Sequence, residues 1–233
     1  MVSDCRYLFY ALILLVRPSV ICDIGSCDGT EAFKFRRLRP SARIVAFEAN
    51  PHNFARIATD SRSERIELHA EAASDTDGET TFYVLETPPS SPWARGGSSL
   101  MRRGPEIKLG LGEEPVQVRS LRLDTLLAEA PQPIALWVDV EGAAAQVIDG
   151  LAGIADRINF MCVELESVPI WDGQETAAAV LDRLSGWGFE VIATTPDSVR
   201  QDNFLLVRDV PPLKLRLARA MAFAAQIARR VIP

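Results

Sequence analysis

Several features are scarce in this sequence, and each scarcity limits what the chain can be. Only two of its 233 residues are histidine and its four cysteines form no C-x-x-C pair, so no zinc cluster is expected. Acidic residues outnumber basic ones, 31 against 25, and the net charge of −6 argues against nucleic acid as a partner. Unpaired thiols are typical of a reducing compartment, so we expect a cytoplasmic location.

Long apolar runs are also missing. The run Tyr7–Val16 is about half as long as a membrane span needs to be. It has the length of a signal-peptide core, but no small-residue cleavage site lies before Asp23. We therefore predict a helix that packs on the sheet. Hydrophobic residues make up 48% of the chain and charged residues 24%, as in an ordinary α/β domain of this length.

The most informative stretch is Val20–Glu31, where an apolar run stops at two glycines and a helical pattern follows. This order predicts a buried strand, a tight turn and a helix whose first N–H groups can face an anionic ligand group. Cys27 occupies the middle position of the turn, where a dinucleotide fingerprint has glycine. The spacing is similar to the S-adenosylmethionine loop of class I methyltransferases, with a purely structural turn as the alternative. We predict that the cofactor contacts Asp23, Gly25, Ser26, Gly29 and Thr30.

An acidic residue at the end of the second predicted strand supports a nucleoside site. Glu48 follows the apolar run Arg43–Phe47, at roughly the distance from the glycines where doubly wound folds place an acid for the ribose hydroxyls. The alternative is that Glu48 caps the helix that begins at Asn50-Pro51. We predict that Glu48 and Asn50 belong to the cofactor site.

The order of strands predicts the fold class. Only about nine residues separate the last two predicted strands, which is too short for a crossover helix, so these strands must pair antiparallel. The prediction is an α/β, Rossmann-like fold with a mostly parallel seven-stranded sheet and a terminal antiparallel hairpin. An eighth strand, Thr80–Leu85, is predicted at an edge or in a hairpin. The predicted sheet strands are Val20–Ile24, Arg43–Phe47, Ile66–Ala70, Ile134–Val138, Asn159–Val163, Phe189–Ala193 and Asn203–Val207.

Several short blocks, taken together, resemble the FkbM family of S-adenosylmethionine-dependent methyltransferases. The resemblance covers roughly residues 20–207 and implies a class I methyltransferase that methylates hydroxyls of sugars, polyketides or lipidic metabolites. It also places the adenine pocket at Glu71 and Ala72. The blocks are Asp23-Ile24-Gly25 with Gly29, Ala46–Pro51, Ala73-Ser74-Asp75 with Gly78, Ser98-Ser99-Leu100, Leu123-Asp124, Asp139-Val140-Glu141-Gly142 and Glu164.

Acidic residues at the ends of neighbouring strands are the catalytic candidates. Asp139 follows the fourth core strand, on the edge where open α/β sheets bind ligands, and could act as base, hold the cofactor's amino group or bind a metal. Glu141 and Glu164 could converge with it. Three oxygen ligands could hold magnesium, but carboxylates at strand ends more often bind water or cap helices, so we predict no metal.

Two departures from the family pattern leave other functions open. Trp137 stands where the family has lysine, and Ala144 where it often has glutamate. The alternative functions are therefore a catalytically silent cofactor-binding or assembly protein and, more weakly, a nicotinamide oxidoreductase, which Cys27 disfavours.

Two segments differ in composition from the rest of the chain. Residues 86–115 hold five prolines, five glycines and four serines, as in a binding loop, a lid or an irregular insertion. Leu213–Val231 carries five basic and no acidic residues, which leaves the remainder at −11. We divide the chain into a domain at 1–210 and a basic amphipathic helix at 211–233. This helix is expected to pack on its own domain or on a second copy, or to contact an anionic membrane surface. Its predicted apolar face is Leu213, Leu217, Met221, Ala224, Ile227 and Val231.

Overall fold

A computed structural model describes residues 4–86, 96–104 and 112–231. Seven helices and ten strands make up this part of the chain, with a 3-10 turn at Ala152–Arg157. In chain order they are α1 (Cys5–Val16), β1 (Val20–Ile24), α2 (Thr30–Leu38), β2 (Arg43–Phe47), α3 (Pro51–Ser63), β3 (Glu67–His69), β4 (Ala72–Ala73), β5 (Gly78–Leu85), β6 (Glu113–Leu121), α4 (Leu123–Leu126), β7 (Ile134–Val138), α5 (Ala144–Asp149), β8 (Ile158–Glu166), α6 (Ala177–Gly186), β9 (Glu190–Pro196), β10 (Gln201–Val207) and α7 (Pro212–Val231).

The main sheet has seven strands in the order β3-β2-β1-β7-β8-β10-β9. Only β10 runs against its neighbours, since it pairs antiparallel with both β8 and β9. All other pairings in this sheet are parallel. The predicted fold class, including the antiparallel terminal pair, is confirmed.

Apolar side chains cover both faces of this sheet. Every residue of β1 and β7 is buried, as expected of central parallel strands with helices on both faces. One core cluster joins the sheet to α4, α5 and α6, and the other joins it to α1, α2 and α7. The predicted N-terminal helix is therefore confirmed: α1 buries Leu8, Phe9, Leu12 and Ile13 against the sheet.

A second, three-stranded sheet lies beside the first, in the order β4-β6-β5. β5 pairs antiparallel with β6 and forms one edge, so both the edge and the hairpin predictions hold for it. Ala72 belongs to β4 rather than to the end of β3, which stops at His69. The segment 86–115 begins directly after β5, which ends at Leu85. Strand pairing resumes at Glu113, before the predicted end of the segment at Pro115. Residues 87–95 and 105–111 of that segment lie outside the described residues.

The last helix, α7, packs on α1 with the face that lies opposite its predicted apolar face. Ala218 and Ala222 are buried, and Leu215 is partly buried against the same cluster. The predicted apolar face points away from the domain, with Leu213 68%, Leu217 47% and Ile227 46% exposed. In the part of the chain that the structure describes, no helix is both long and apolar enough to cross a bilayer.

Candidate cofactor cleft and active site

The glycine turn that follows β1 lies against the carboxyl ends of the two neighbouring strands, β2 and β7. The N–H groups of Gly25 and Ser26 both donate to the carbonyl of Phe47 at the end of β2, at 3.0 and 2.8 Å. Gly25 has a φ of +88°, and a Cβ there would lie 1.9 Å from the carbonyl oxygen of Asp139. Cys27 also has a positive φ, +50°, a region that favours glycine. The turn therefore needs glycine at position 25, as predicted from the spacing.

Replacing Gly25 with alanine should destabilise the protein by about 2 kcal/mol or more, because the new methyl group overlaps backbone and the φ is unfavourable. Thermal or urea unfolding measures this loss. Gly186→Ala is the matched control, since a methyl group on this last residue of α6 would meet no neighbouring atom within 4 Å. A Gly25→Ala protein as stable as the control would show that the turn relaxes at little cost.

Four of the predicted cofactor residues lie in the turn or where it meets β1 and α2. The Asp23 carboxylate accepts hydrogen bonds from the Ser26 hydroxyl at 2.8 Å and from the Ala32 N–H at 3.0 Å. Gly29 precedes α2 with a φ of +78°, and the Thr30 N–H donates to the Asp28 side chain. The side chains of Asp23 and Ser26 thus hold the turn onto α2, and a direct contact of these four residues with a cofactor stays a prediction.

Glu48 lies at the open side of the same turn. Its carboxylate accepts hydrogen bonds from the Cys27 N–H at 2.6 Å and from the Asn50 N–H at 2.8 Å. Burial raises the pKa of Glu48 to about 7, although these two N–H groups favour the ionised form. Asn50 caps α3 by accepting from the His52 N–H, and its amide donates to the Ser98 hydroxyl at 3.2 Å. Glu48 therefore holds the turn in place through its hydrogen bonds, and its side chain also lines the cleft.

A cleft opens above the turn, at the carboxyl ends of β1, β2 and β7. It brings together five of the predicted residues, Gly25, Glu48, Glu71, Ala72 and Asp139. Asn53 also lines it and was not predicted, because nothing in its local sequence distinguishes it from any polar residue of a helix. Asn53 is 2% exposed, and among the described residues its Oδ1 has no hydrogen-bond partner.

Part of the compositionally distinct segment forms a wall of the cleft. Gly96, Ser98 and Leu100 line it. The Ser98 hydroxyl accepts from the Leu85 N–H at 3.0 Å, and the Ser99 hydroxyl donates to the Glu141 carbonyl at 2.6 Å. These bonds connect the wall to β5 and to the acidic residues beyond β7. Residues 96–104 of this segment thus lie beside the cleft, and a role in binding stays a prediction.

The three predicted catalytic carboxylates converge, and two further residues join them. One oxygen from each of Asp139, Glu141 and Glu164 lies within 4.8 Å of the others. Gln201, at the start of β10, donates through Nε2 to Glu164 at 3.0 Å, to Glu141 at 3.3 Å and to Glu166 at 3.4 Å. Sequence reasoning missed Gln201 and Glu166, because only the antiparallel insertion of β10 beside β8 brings them here.

Burial and mutual repulsion raise the pKa of every carboxyl group in this cluster. The pKa of Glu141 rises to about 8 and that of Glu166 to about 7, in both cases chiefly through burial. Burial and the neighbouring Asp139 hold the pKa of Glu164 far above its usual range. The pKa of Asp139 rises less, because a hydrogen bond with Glu164 favours its ionised form. Burial and the closeness of the two carboxyl groups therefore favour one proton shared by Asp139 and Glu164 near neutral pH.

These raised pKa values predict that stability falls as pH rises. The buried carboxyls keep protons in the folded state that they have already lost in the unfolded chain, so the free energy of unfolding should decrease from about pH 5 to pH 8. Each such carboxyl contributes fully to stability below the pKa that it has in the unfolded chain. This contribution is lost as the pH rises towards and through the pKa that the carboxyl has in the folded protein. Glu164→Gln removes one such group, so its melting temperature should fall less over this interval.

Thermal unfolding of the wild type and Glu164→Gln at several pH values measures both slopes. Glu190→Gln, an exposed position on β9, is the control and should keep the wild-type slope. Parallel curves for Glu164→Gln and the wild type would contradict the raised pKa of Glu164.

The two departures from the family pattern lie in apolar surroundings. Trp137 is 4% exposed and packs edge-on against Phe9, with ring centroids 5.3 Å apart, while the Arg6 guanidinium lies 5.8 Å from its ring centroid. Ala144 begins α5 and is buried in the core. Neither side chain lines the cleft.

The strand order, with its one antiparallel strand, and the carboxylate that ends β2 over a glycine turn define a class I methyltransferase. The family model of the FkbM methyltransferase domain matches residues 23–191. The chain belongs to this family, as its motifs predicted, and is a methyltransferase of the S-adenosylmethionine-dependent class.

Two characterised proteins are similar in sequence. The 2-O-methyltransferase NoeI of Sinorhizobium fredii is 32% identical over 82% of this chain and 81% of its own length. The hexuronic acid methyltransferase AglP of Haloferax volcanii is 29% identical over 64% of this chain and 56% of its own length. Among solved structures, an rRNA methylase from Streptococcus thermophilus aligns with 89% of this chain and 98% of its own, at 11% identity and a TM-score of 0.49.

Proposed function

We propose that this protein transfers a methyl group from S-adenosylmethionine to a hydroxyl of a sugar-like small molecule. The observation that carries the proposal is the position of Asp139. It lines the cleft above the glycine turn and also belongs to the carboxyl cluster, so one side chain connects the cofactor site with an acid–base group.

The residues of the cleft fit an adenosyl group. Glu48 offers a buried carboxylate whose remaining lone pairs can accept from ribose hydroxyls. The unpaired Oδ1 of Asn53 is a second buried acceptor, and it suits a ligand that brings N–H or O–H donors. Glu71 and Ala72 lie on the side where the family's adenine pocket is expected. S-adenosylmethionine, when bound, supplies the electrophilic methyl group.

The carboxyl cluster can remove the proton from an acceptor hydroxyl. Asp139, whose pKa is raised only moderately, is ionised near pH 7 and is the proposed general base. Glu164 keeps its proton and donates to Asp139, which holds the base in place. Glu141 and Glu166, tied together by Gln201, are proposed to orient acceptor hydroxyls.

Hydroxyls of a sugar-like molecule suit the chemistry of this edge of the sheet. Both named relatives are methyltransferases of sugar-related compounds or of a 2-hydroxyl by name, and NoeI aligns with most of this chain. Several carboxyl groups side by side provide the donors and acceptors that a polyol needs. We therefore place the acceptor between Asp139 and the wall formed by residues 96–104.

We propose that this reaction proceeds without a metal ion. The three carboxylates are close enough to hold magnesium, but the Gln201 amide already donates to Glu141 and Glu164, and burial favours the protonated forms of both, which bind a cation poorly. Activity that is insensitive to EDTA is expected, and activity that requires added magnesium would contradict this part of the proposal.

Two measurements test the function against its alternatives. Thermal shift with S-adenosylhomocysteine and with NAD should show stabilisation by the former only, whereas stabilisation by NAD would favour an oxidoreductase. Transfer of a tritiated methyl group to a panel of free sugars, uronic acids and glycosides should label at least one compound. Binding of S-adenosylhomocysteine without any transfer to the panel or to a metabolite extract would favour the catalytically silent alternative.

A further inference from the structure

The outward face of α7 concentrates the exposed large apolar side chains of the protein. Among the described residues nine such side chains are exposed, and five of them belong to this one helix, so they form a patch rather than a scatter. At 3.6 residues per turn they line one side of the helix, opposite the alanines that contact α1. The five are Leu213, Leu217, Met221, Phe223 and Ile227.

Basic residues border this apolar face. Lys214 lies beside one edge and Arg219 beside the other, while Arg216 lies within the face, between Phe223 and Ile227; both arginines are exposed. The sequence of the helix adds Arg229 and Arg230 and contains no acidic residue, whereas the rest of the chain is at −11. An apolar stripe between cationic edges is the arrangement of helices that lie in the interface of an anionic bilayer.

We propose that α7 docks the protein on an anionic membrane surface, with its apolar face among the acyl chains and its lysine and arginines at the phosphate level. Long basic side chains extend from the edges of such a face towards the lipid headgroups, and each adds electrostatic attraction. The alanine face stays on α1, because Ala218 and Ala222 are buried there.

The charge of the helix argues against a second copy as the occupant. A symmetric dimer would place the same face of both copies together, and the basic residues of the two helices would then lie near one another without any acid on either helix to pair with them. An anionic lipid surface supplies the opposite charge at every point along the face. The excess of basic residues therefore favours the membrane.

Flotation of the full chain with lipid vesicles tests the proposal. We expect the wild type to float with phosphatidylcholine vesicles that contain about 30% phosphatidylglycerol and not with pure phosphatidylcholine, and to bind more weakly at about 0.5 M salt. Leu217→Gln with Ile227→Gln should lower binding by about tenfold or more. Arg216→Gln with Arg219→Gln should weaken binding to the anionic vesicles as well.

A matched control distinguishes binding through the apolar face of α7 from non-specific binding through any exposed apolar side chain. Val168→Gln with Val191→Gln changes two apolar side chains of similar exposure, 47% and 46%, elsewhere on the surface, and should float like the wild type. Wild-type protein that does not float, or a control pair as impaired as the α7 pair, would overturn the proposal. A dimer in solution that Leu217→Gln with Ile227→Gln dissociates, without any flotation, would assign the face to a second copy. Since none of these outcomes requires turnover, the test is independent of the proposed activity.

Discussion

Asp139→Asn should reduce kcat for methyl transfer by about 10²–10⁴-fold, the range that a positioned general base supplies. The amide keeps the shape of the side chain but cannot accept a proton from the acceptor. It also cannot accept the Glu164 proton in the same way as a carboxylate, so the shared hydrogen bond of the pair weakens. Since Asp139 and Glu164 act together, Glu164→Gln should lower kcat less than Asp139→Asn does.

Single-turnover methyl transfer at saturating cofactor measures this effect. Affinity for S-adenosylhomocysteine should stay within about tenfold of the wild type, because the adenosyl contacts are elsewhere in the cleft. Asp209→Asn is the control, since its side chain is 76% exposed and follows β10 at the opposite edge of the sheet. Wild-type turnover by Asp139→Asn would remove this residue from catalysis.

Glu48→Ala should weaken S-adenosylhomocysteine binding at least tenfold, because each hydrogen bond to a charged acceptor contributes about 1.5–3 kcal/mol. The substitution removes the proposed ribose acceptor and leaves the N–H groups of Cys27 and Asn50 without their partner. The turn should then lose its present geometry as well as its ligand contact.

Isothermal titration calorimetry of the wild type, Glu48→Ala and Glu48→Gln measures the two contributions. Glu48→Gln keeps one oxygen, so we expect an intermediate affinity and a smaller loss of stability. Glu79→Ala, on the exposed part of β5, should bind like the wild type. Unchanged affinity in both Glu48 variants, with the proteins folded, would place the ribose elsewhere.

The local sequence was sufficient to predict the bounds of the central strands, but not those of the strands that pair with β10. β1, β2 and β7 are almost entirely buried, so each reads as a mostly apolar run, and their predicted bounds agree with the structure. β8 continues to Glu166, three residues past its predicted end at Val163. Its charged end looks like a loop in sequence, but it is paired with β10, which no local pattern reveals.

The same distinction holds for the candidate site. Glu48 and Asp139 were found because they directly follow apolar runs, and the ends of parallel strands meet at one edge of a sheet. Asn53, Gln201 and Glu166 reach the site only through tertiary packing. For α7, periodicity predicted the apolar face correctly, but which face would contact the domain depended on the close approach that alanines allow against α1.

The pairing of β5 with β6 has a practical consequence for engineering. Leu85 and Glu113 are register partners, so the whole excursion between them leaves and rejoins the body at adjacent points. Its chain ends are held by the small sheet, whereas the strands that end at Asp139 and carry Glu164 and Glu166 belong to the large one. We expect the segment between Leu85 and Glu113 to be exchangeable between family members. Such an exchange should transfer the acceptor preference and leave the large sheet and its carboxyl cluster unchanged.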